Sequence, residues 1–371
     1  MKEINISKVI VHKRKEKGIT QDALADHVGV TKASVSKWET GQSYPDITLL
    51  PKLATFFNIS IDDLIGYLPQ LEKDEIRRTY QRFSEEFGKR PFSEVYDDIE
   101  KVIEKYYACF PLLLQMSILL LNHYMLAETE ELKSEVLDKI IQLSLRVKEE
   151  SEDVWLSKQS NSIEAMAQMI KGDSLSVLDL LEGTIRPIVG DEVILASAYQ
   201  SRGEIGKAKS VLQISLYQHI LSYISNGASY LMLNLDNQDA FERTLERLLP
   251  VAEAVKLIDL NPNVMAQVYY GAANGYAVLG KFKESILMLK GYVKACRKLT
   301  FPYKIQGDDF FTLIDPWLED LDLGNGPPRG EKVVKEGMLQ AVTMNLAFTT
   351  LHEHTGYKNI VSELTEFLGG K

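Results

Sequence analysis

Side chains able to contact nucleic acid are concentrated on one face of a short helix predicted within residues 20–41. These side chains carry hydroxyl and ammonium groups, which donate hydrogen bonds to phosphates and to base edges. They are Thr31, Lys32, Ser34, Ser36 and Lys37. The spacing of the surrounding residues is typical of two short helices joined by a tight turn, an arrangement that proteins use to read DNA.

The elements that position this face follow from apolar periodicity. Each helix has one inward stripe, formed by Leu24, Ala25 and Val28 in the first and by Val30, Val35 and Trp38 in the second. Ala25 is small enough for the two helices to cross closely, and Gly29 permits the turn between them. Thr20 and Thr31 are N-cap residue types at the two helix starts.

Residues 1–66 resemble the phage-repressor (XRE/Cro) helix-turn-helix domain. In that family a Gln opens the first helix of the motif, a Trp or Leu anchors the end of the recognition helix, and a Glu follows it. Gln21, Trp38 and Glu39 match these positions. The family pairs this Glu with an Arg of the opening helix, where this chain has Arg14. The resemblance implies a structural ion pair, and the alternative is two independent solvated charges.

Two further helices complete this domain. A fourth amphipathic helix is indicated by Leu49, Leu50, Leu53, Ala54 and Phe57. Ser60 followed by Asp63 is a capping-box pattern at the start of a fifth helix, and the domain is predicted to end at Gly66. Residues 67–75 combine Pro69 with a charged run and are predicted to be a linker.

The resemblance places base readout at the start and middle of the recognition helix, and the candidates there are Lys32, Ala33, Ser36 and Lys37. Lys donates to guanine O6 and N7, Ser serves either base type, and Ala meets a thymine methyl. Phosphate contacts are expected from Gln21, Thr31 and Ser34. The family often has Gln at positions 32 and 33, so the operator sequence does not carry over. The alternative is that these residues form a solvated helix face.

Charge is distributed unevenly along the chain, whose formal net charge is −10. Residues 1–66 hold nine Lys or Arg against eight Asp or Glu, a net of +1, which leaves −11 for the remainder. A nearly neutral head binds DNA weakly, because non-specific affinity comes mostly from phosphate neutralisation. Two heads on one dimer restore affinity by avidity. We therefore predict a homodimer on an inverted-repeat operator in double-stranded DNA.

The rest of the 371-residue chain is predicted to be a second, all-α domain spanning residues 76–371. Small and aromatic residues recur at fixed offsets from the turn residue Gly280, and again from Gly203. These are Ala273, Tyr276, Phe282 and Ser285 in the first unit and Ala196, Tyr199, Ile205 and Ala208 in the second. Weaker units centre on Gly172 and Asp236, so the intervals are 31, 33 and 44 residues. The pattern resembles the tetratricopeptide repeat, which implies an α-solenoid.

The first helix of each hairpin lines the concave side of such a solenoid. Two helical stripes there combine amide and aromatic side chains: Gln267, Tyr270 and Asn274 in one, and Tyr223, Asn226 and Tyr230 in the other, with Asn234 beside them and Gln200 from the Gly203 unit. Amides pair with the N–H and C=O groups of an extended peptide, and aromatic walls take its apolar side chains. The alternative is that the Tyr residues pack between hairpins while the Asn residues cap helices or face water.

A phage-repressor-like head with a tetratricopeptide-like body resembles the RRNPP peptide-pheromone receptors of Gram-positive bacteria. The resemblance implies that a short signalling peptide binds the concave groove and changes dimer geometry or DNA affinity. Asn226, Asn234 and Asn274 are then the expected contacts to the peptide backbone. One rival is a body that binds a protein partner, as an antirepressor does. Another is a phosphatase-like or scaffold protein with a vestigial head.

Two stretches depart from a plain repeat array. Residues 110–121 are strongly apolar but shorter than the roughly 20 residues that cross a bilayer, so a buried helix is expected. Residues 301–330 are irregular and precede a long helix predicted near Glu331 to His354. Trp317 and Phe310 are candidates for a lid over the groove, and a C-terminal cap or dimer element is the alternative.

No enzymatic constellation is recognisable, and no cofactor or metal is expected. His352 and His354 are two residues apart, a spacing that points them to different sides of a helix. Cys109 and Cys296 fit buried thiols in a reducing compartment. Neither a phosphate loop nor a G-x-S-x-G turn is present, and the charged first twenty residues do not form a signal segment, so a cytoplasmic protein is expected.

Overall fold

The computed structural model describes residues 5–66, 70–185 and 190–368, and these residues contain helices but no strand. The head consists of α1 (Ile6–Glu16), α2 (Gln21–Val28), α3 (Lys32–Glu39), α4 (Leu50–Phe57) and α5 (Ile61–Ile65), with a 3-10 turn at Ile47–Leu49. Its core contains both predicted inward stripes, with Val30 half-buried at the edge and the other five side chains buried. The predicted five-helix head is therefore confirmed.

The local signals of the head act as the sequence predicts. The Thr20 and Thr31 hydroxyls accept hydrogen bonds from the amides of Ala23 and Ser34, at 3.1 and 3.2 Å. Gly29 has a φ of 85°, a left-handed conformation that a residue with a Cβ rarely adopts. The capping box at the start of α5 is also present. These caps fix where α2 and α3 begin, and the turn fixes the angle at which they cross.

The body contains fifteen α-helices among the described residues. They are α6 (Lys73–Glu86), α7 (Phe92–Lys105), α8 (Phe110–His123), α9 (Glu130–Glu150), α10 (Val154–Ile170), α11 (Ser174–Leu181), α12 (Asp191–Ser201), α13 (Ile205–Met232), α14 (Gln238–Ala254), α15 (Leu257–Leu260), α16 (Pro262–Val278), α17 (Phe282–Lys298), α18 (Asp315–Asp320), α19 (Glu331–Thr343) and α20 (Thr355–Leu368). Two 3-10 helices, Tyr124–Leu126 and Leu346–Leu351, lie between them. Sequential neighbours such as α8 and α9, α9 and α10, and α16 and α17 pack against each other as hairpins.

The predicted linker overlaps the body. Its residues 67–69 lie outside the described part of the chain, but α6 already begins at Lys73 rather than after residue 75. The Gln70 amide donates to the Ala108 carbonyl at 2.9 Å, which anchors the chain to the body before α6 starts. The amide of Glu72 donates to the Glu75 carboxylate at 3.2 Å, so the charged run begins a helix instead of extending the linker.

The repeat pattern is confirmed at the Gly280 unit. Gly280 has a φ of 72° between α16 and α17, and the buried Ser285 hydroxyl donates to the Ala273 carbonyl at 2.8 Å. The two small residues thus let the hairpin close tightly.

The next two units depart from the repeat pattern. The second helix of the Gly203 unit and the first helix of the Asp236 unit are one continuous helix, α13, of 28 residues. The Asn226–Gly227 pair does not break this helix, although such a pair favours turns. Leu248 of α14 packs there, and its Cδ1 lies 2.5 Å from where a Cβ on residue 227 would be. Gly227 is therefore used for close helix packing rather than for a turn.

The C-terminal helix is shorter than predicted. Instead of running to His354, α19 ends at Thr343, and Asn345 caps the 3-10 helix Leu346–Leu351 by accepting a hydrogen bond from Ala347 at 2.9 Å. Asn side chains compete for backbone donors in this way, which explains the break.

The apolar stretch 110–121 lies within α8, and most of its side chains are buried in the core formed by α6–α10. No helix in the described part of the chain is long and apolar enough to cross a membrane.

His123, at the end of α8, is a buried titratable group in this core. Its ring stacks on Phe87 with centroids 4.6 Å apart, and its Nδ1 lies 2.8 Å from the Leu119 carbonyl. Burial lowers the pKa of His123 to about 4, since the charged imidazolium would lose its hydration. The folded protein therefore holds His123 neutral at pH 7.

This pKa predicts an acid-sensitive core. Between the unfolded pKa near 6.5 and the folded value near 4, the unfolded chain binds a proton that the folded chain does not. The free energy of unfolding should therefore fall as the pH drops through this interval, by up to roughly 3 kcal/mol. Urea unfolding at pH 7 and pH 4.5 should show this loss in wild type and less of it in His123→Gln. The exposed His219→Gln variant is the control, and an equal slope in His123→Gln would contradict the assignment.

Candidate nucleic-acid interface and peptide groove

Helix α3 is anchored by its inward side. Val35 and Trp38 are buried in the head, and Lys32, Ala33 and Lys37 are exposed on the opposite side. A short helix with one buried edge and a free polar face can enter a groove without losing its own packing. The predicted readout residues therefore share one accessible surface, which also includes the half-buried Ser36.

An ion-pair network fixes this helix to α1 and α2. The Arg14 guanidinium donates to both carboxylate oxygens of Glu39, with Nη2 at 2.9 Å from Oε2, and its Nη1 donates to the Ile19 carbonyl at 2.8 Å. Both side chains are largely buried, with 14% and 6% of their surface exposed. Burial opposes ionisation of Glu39, but the hydrogen bonds from Arg14 and Gln21 hold its pKa below the ordinary value. The structural interpretation of Arg14 and Glu39 is confirmed.

Gln21 belongs to this network rather than standing free. Its Nε2 donates to Glu39 Oε2 at 2.9 Å, and the side chain is half-buried. The amide donor expected to hold a phosphate is therefore used inside the head. The backbone N–H of Gln21 is still available to an anion, because amides in the first turn of a helix lack intrahelical acceptors.

The cations on the outward face differ in their partners. Lys32 pairs with Asp22 of α2 at 2.7 Å, and both side chains are more than half exposed. Lys37 has no ion-pair partner among the described residues. An exposed pair is worth at most about 1 kcal/mol, so DNA can displace Asp22 from Lys32 at small cost. The Thr31 and Ser34 hydroxyls lie 2.9 Å apart at the helix start and are bonded to each other.

Tyr44 was missed by the sequence analysis. It lies 63% exposed in the loop that follows α3, together with exposed Gln42. Tyr hydroxyls are common phosphate donors in protein–DNA complexes. The sequence feature that could have indicated Tyr44 is an aromatic residue in a short polar loop directly after the recognition helix.

The second candidate surface is the outward face of α13. Tyr223 and Tyr230 are 48% and 56% exposed, Asn226 between them is exposed, and no hydrogen bond links the Asn226 amide to another described residue. Ile224 and Leu231 on the opposite face are buried. The predicted stripe on this helix is therefore accessible.

The corresponding stripe on α16 is partly covered by the chain itself. Gln267 is exposed, but the Asn345 amide donates to Tyr270 Oη at 2.8 Å and to Asn274 Oδ1 at 3.1 Å. The Tyr270 ring also lies 6.1 Å from that of Phe348 in an edge-to-face arrangement. Tyr270 and Asn274 thus have partners in the segment after α19, so Asn345 belongs to this surface although no repeat pattern pointed to it.

The remaining groove candidates are less closely associated with these stripes. The Asn234 amide donates to the Tyr230 carbonyl at 2.7 Å and so caps its own helix. Gln200 is exposed at the end of α12, and no hydrogen bond joins its side chain to the α13 stripe among the described residues. The structure therefore brings together the α13 residues and, separately, the α16 residues with Asn345.

Residues 305–318 pack on α13 through a small apolar cluster around Tyr217 and Phe311. Trp317 lies edge-on to Tyr217 at 6.3 Å, so it is a packing residue in this structure. Phe310 is 60% exposed, and its carbonyl accepts a hydrogen bond from Gln213 at 2.7 Å. Of the two residues considered for a lid, only Phe310 is free to contact a ligand.

Both cysteines are buried and unbridged, and burial raises the pKa of the Cys296 thiol to about 12. Within the described ranges, no group of three or more His, Cys, Asp or Glu side chains is arranged to hold a metal ion.

Comparison with known proteins identifies the head. Residues 11–64 match a protein-family model described as Helix-turn-helix. The chain is 38% identical over 53 residues to the HTH-type transcriptional activator BcrR of Enterococcus faecalis, a match that covers 14% of this chain and 26% of that protein. It is 38% identical over 64 residues to the SPbeta prophage-derived uncharacterized HTH-type transcriptional regulator YonR of Bacillus subtilis, covering 17% and 59%.

A third relative is the cryptic phage CTXphi transcriptional repressor RstR of Vibrio cholerae, 33% identical over 73 residues, covering 20% of this chain and 65% of that protein. The matches thus span about a quarter to just under two thirds of these relatives. Residues 11–64 form a helix-turn-helix domain, which confirms the predicted resemblance of the head.

Two solved structures align over most of the chain at low similarity. One is PlcR of Bacillus thuringiensis in complex with the peptide PapR7 and DNA, with 16% identity, a TM-score of 0.29 and coverage of 80% of this chain and 94% of that chain. The other is the apo form of the competence regulator ComR from Streptococcus vestibularis, with 15% identity, a TM-score of 0.26 and coverage of 86% and 98%.

The Arg14–Glu39 network predicts a specific loss of stability in the head. Glu39→Ala leaves a largely buried guanidinium with one carbonyl partner, and breaking a buried pair costs about 3 kcal/mol. Hydrogen exchange of the amides in α2 and α3 should accelerate in this variant. Glu16→Ala removes an exposed ion pair with Lys13. It should change the free energy of opening of these amides by less than about 0.5 kcal/mol. Equal exchange rates in the Glu39→Ala and Glu16→Ala variants would show that the network does not stabilise the position of α3.

Proposed function

We propose that this chain is a DNA-binding transcription regulator. Helix α3 enters the major groove, where Lys32, Ala33, Ser36 and Lys37 meet base edges. Thr31 and Ser34, together with the first-turn amide of Gln21, hold phosphates on either side. The observation that supports this proposal best is the exposed donor-rich face of α3, held in place by the Arg14–Glu39 network.

A dimer is part of this proposal. The head carries a net of only +1, so one copy releases few counterions on binding. Two heads on half-sites about one helical turn apart would multiply their affinities through the linkage between them. We therefore propose a homodimer on an inverted repeat of double-stranded DNA.

Lys37 tests the readout surface. Lys37→Ala should weaken binding to DNA sites selected by the wild-type protein from a random pool by about tenfold to a hundredfold, because a good base contact is worth about 1–3 kcal/mol. Discrimination at one base position should relax at the same time. Lys52→Ala, on the exposed side of α4, is the matched control and should keep the selectivity of wild type. Sequence-specific affinity that survives Lys37→Ala unchanged would rule out this assignment of the recognition helix.

We further propose that the body binds a short signalling peptide across α13 and α16. Tyr223, Asn226 and Tyr230 supply a free amide between two half-exposed rings. Gln267 adds a second exposed amide on α16, and Asn345 with Tyr270 and Asn274 forms the adjoining polar edge. An amide can pair with both the N–H and the C=O of an extended peptide, which supports a peptide over a rigid small ligand. Gln200 and Asn234 would make only flanking contacts to this peptide.

The peptide would act by binding two dimer states unequally. A coupling of 1–3 kcal/mol, which is typical of allosteric proteins, corresponds to a change in DNA affinity of about fivefold to 150-fold. A protein partner is the alternative occupant of the same surface. It would bury a larger area than a peptide and would leave no small ligand in the purified regulator.

Asn226 separates these outcomes. Native mass spectrometry of the protein after incubation with spent culture medium of its host should retain a peptide of roughly five to ten residues. Asn226→Ala should lose that mass without loss of fold, because the side chain is exposed and bonded to no other described residue. Gln238→Ala, on exposed α14 surface, should keep it. Retention of the peptide by Asn226→Ala would exclude this groove, and an apo mass in every sample would favour the protein partner.

A further inference from the structure

Residues 319–328, with the sequence EDLDLGNGPP, lie against α6 although nearly 250 residues separate the two in the chain. We call this stretch the docked segment. It comprises the last turn of α18 and the irregular chain that follows. Its contacts to the body come mostly from side-chain donors on α6 to backbone carbonyls.

Arg77 makes the central contact. Its Nη2 donates to the carbonyls of Glu319 and Leu321 at 3.0 and 2.7 Å, and its Nε donates to the carbonyl of Asp322 at 3.2 Å. Two of these bonds serve carbonyls at the end of α18, as a helix C-cap does. The third reaches beyond the helix, so the guanidinium also holds the irregular chain.

The other donors extend this line along α6. The hydroxyls of Tyr80 and Ser84 both donate to the Pro328 carbonyl, at 3.0 and 3.1 Å. At the opposite end, the Lys73 ammonium donates to the Asp320 carboxylate at 3.0 Å. Positions 73, 77, 80 and 84 follow the i, i+4, i+7, i+11 spacing of one helix face. One face of α6 therefore supplies donors along the whole segment.

Helix α8 completes the site. The Gln115 amide donates to the Asp322 carboxylate at 3.3 Å, and Leu323 packs against the apolar core of α6–α10. Gln115 is only 4% exposed, yet its Oε1 has no donor among the described residues. A buried amide that uses only its donor side has an acceptor left for a backbone N–H.

An open cavity of about 1190 Å³ lies beside the docked segment. Its walls include Tyr80 and Ser84 of α6, Leu323 and Arg329 of the loop, and Val333 of α19. Arg329 is exposed and has no ion-pair partner among residues that the structure describes. The cavity is somewhat larger than the roughly 300–1,000 Å³ of typical small-ligand pockets, so it has room for a peptide chain beside α6.

We propose that the Lys73–Ser84 face of α6, with Gln115, is a binding site for an extended acidic peptide and that the docked segment occupies it in the free protein. The donors read mainly backbone carbonyls, which any extended chain presents. Lys73 and the Gln115 amide contact the carboxylates of Asp320 and Asp322, and Leu323 packs against the apolar core, so the site favours a chain with acidic residues and an apolar anchor. This site is separate from the α13–α16 groove and does not depend on the peptide proposed for it.

Occupancy of this site by another chain would change how α6 is held to the C-terminal part of the body. Helix α6 is the first helix after residues 67–72, and the docked segment joins it to the C-terminal part of the body. A peptide that displaces the segment removes that connection. Displacement depends on how the concentration and affinity of the external peptide compare with the effective concentration and affinity of the tethered segment.

The test uses a fluorescein-labelled synthetic peptide with the sequence of residues 318–328 and the full chain, followed by fluorescence anisotropy. Wild type should bind weakly, because its own segment competes. The Leu323→Ala, Gly324→Val variant should bind at least about tenfold more tightly, since Gly324 has a φ of 70° that Val does not readily adopt and Leu323 anchors the segment. Adding Arg77→Gln should abolish binding, and adding Arg78→Gln on the exposed side of α6 should not.

Circular dichroism checks the fold of each variant, and Leu323→Ala alone serves for the comparison if the double variant loses helicity. A peptide with Asn in place of its two Asp residues should bind more weakly. Equal affinity for wild type and the weakened-segment variant would overturn occupancy by the segment. Binding that survives Arg77→Gln would overturn the assignment to α6. Asn226→Ala should leave this peptide's affinity unchanged, which separates the result from the α13–α16 groove.

Discussion

The Arg77 guanidinium makes the central contact between the first helix of the body and the docked segment. Arg77 donates to three backbone carbonyls of residues 319–322, and its Nη1 also forms a long ion pair with Asp74 at 3.9 Å. Charge-assisted hydrogen bonds from a planar guanidinium are individually strong and require a fixed geometry. The segment between α17 and α19 therefore has a defined course, and the cavity beside it has a defined wall.

The head relies on the same chemistry for a different purpose. The Arg14 guanidinium donates to the Glu39 carboxylate and to the Ile19 carbonyl. Helix α3 therefore keeps its orientation while its outer face stays exposed. Lys would not substitute in either place, because a single ammonium cannot serve three acceptors in one plane. In both domains a buried or half-buried arginine fixes the position of a neighbouring element.

The sequence predicted the features that depend on local rules. Thr20, Thr31, Gly29 and Ser60 cap or end helices as their chemistry requires, and Trp38 is buried as the helix-turn-helix resemblance implied. Features set by distant contacts were not predicted. Asn226–Gly227 stays helical because Leu248 packs against it, and Gln21 turns inward because Glu39 offers an acceptor. The local sequence around Asn226–Gly227 or Gln21 predicts neither of these effects.

The same limit applies to the proposed binding surfaces. Helical spacing identified the exposed α13 stripe, but Tyr270 and Asn274 of the α16 stripe are bonded to Asn345, which lies 71 residues from Asn274 in the chain. The docked segment was visible only as an irregular stretch rich in Asp, Gly and Pro. Its register against α6 depends on a long-range pairing that periodicity does not encode. Composition showed that the segment is irregular, and only the fold showed that it packs against α6.

Hydrogen–deuterium exchange of the full chain tests most directly whether Arg77 holds the docked segment. The amides of Leu321 and Gly324 donate to the carbonyls of Leu318 and Leu321, and the Ile305 amide donates to the Asn325 carbonyl. In Arg77→Gln these three amides should exchange at least about tenfold faster than in wild type, because the lost bonds exceed roughly 1.4 kcal/mol. The amides of α16 and α17 should be unchanged, and Arg78→Gln should match wild type throughout. Unchanged exchange at residues 305–324 in Arg77→Gln would contradict the account.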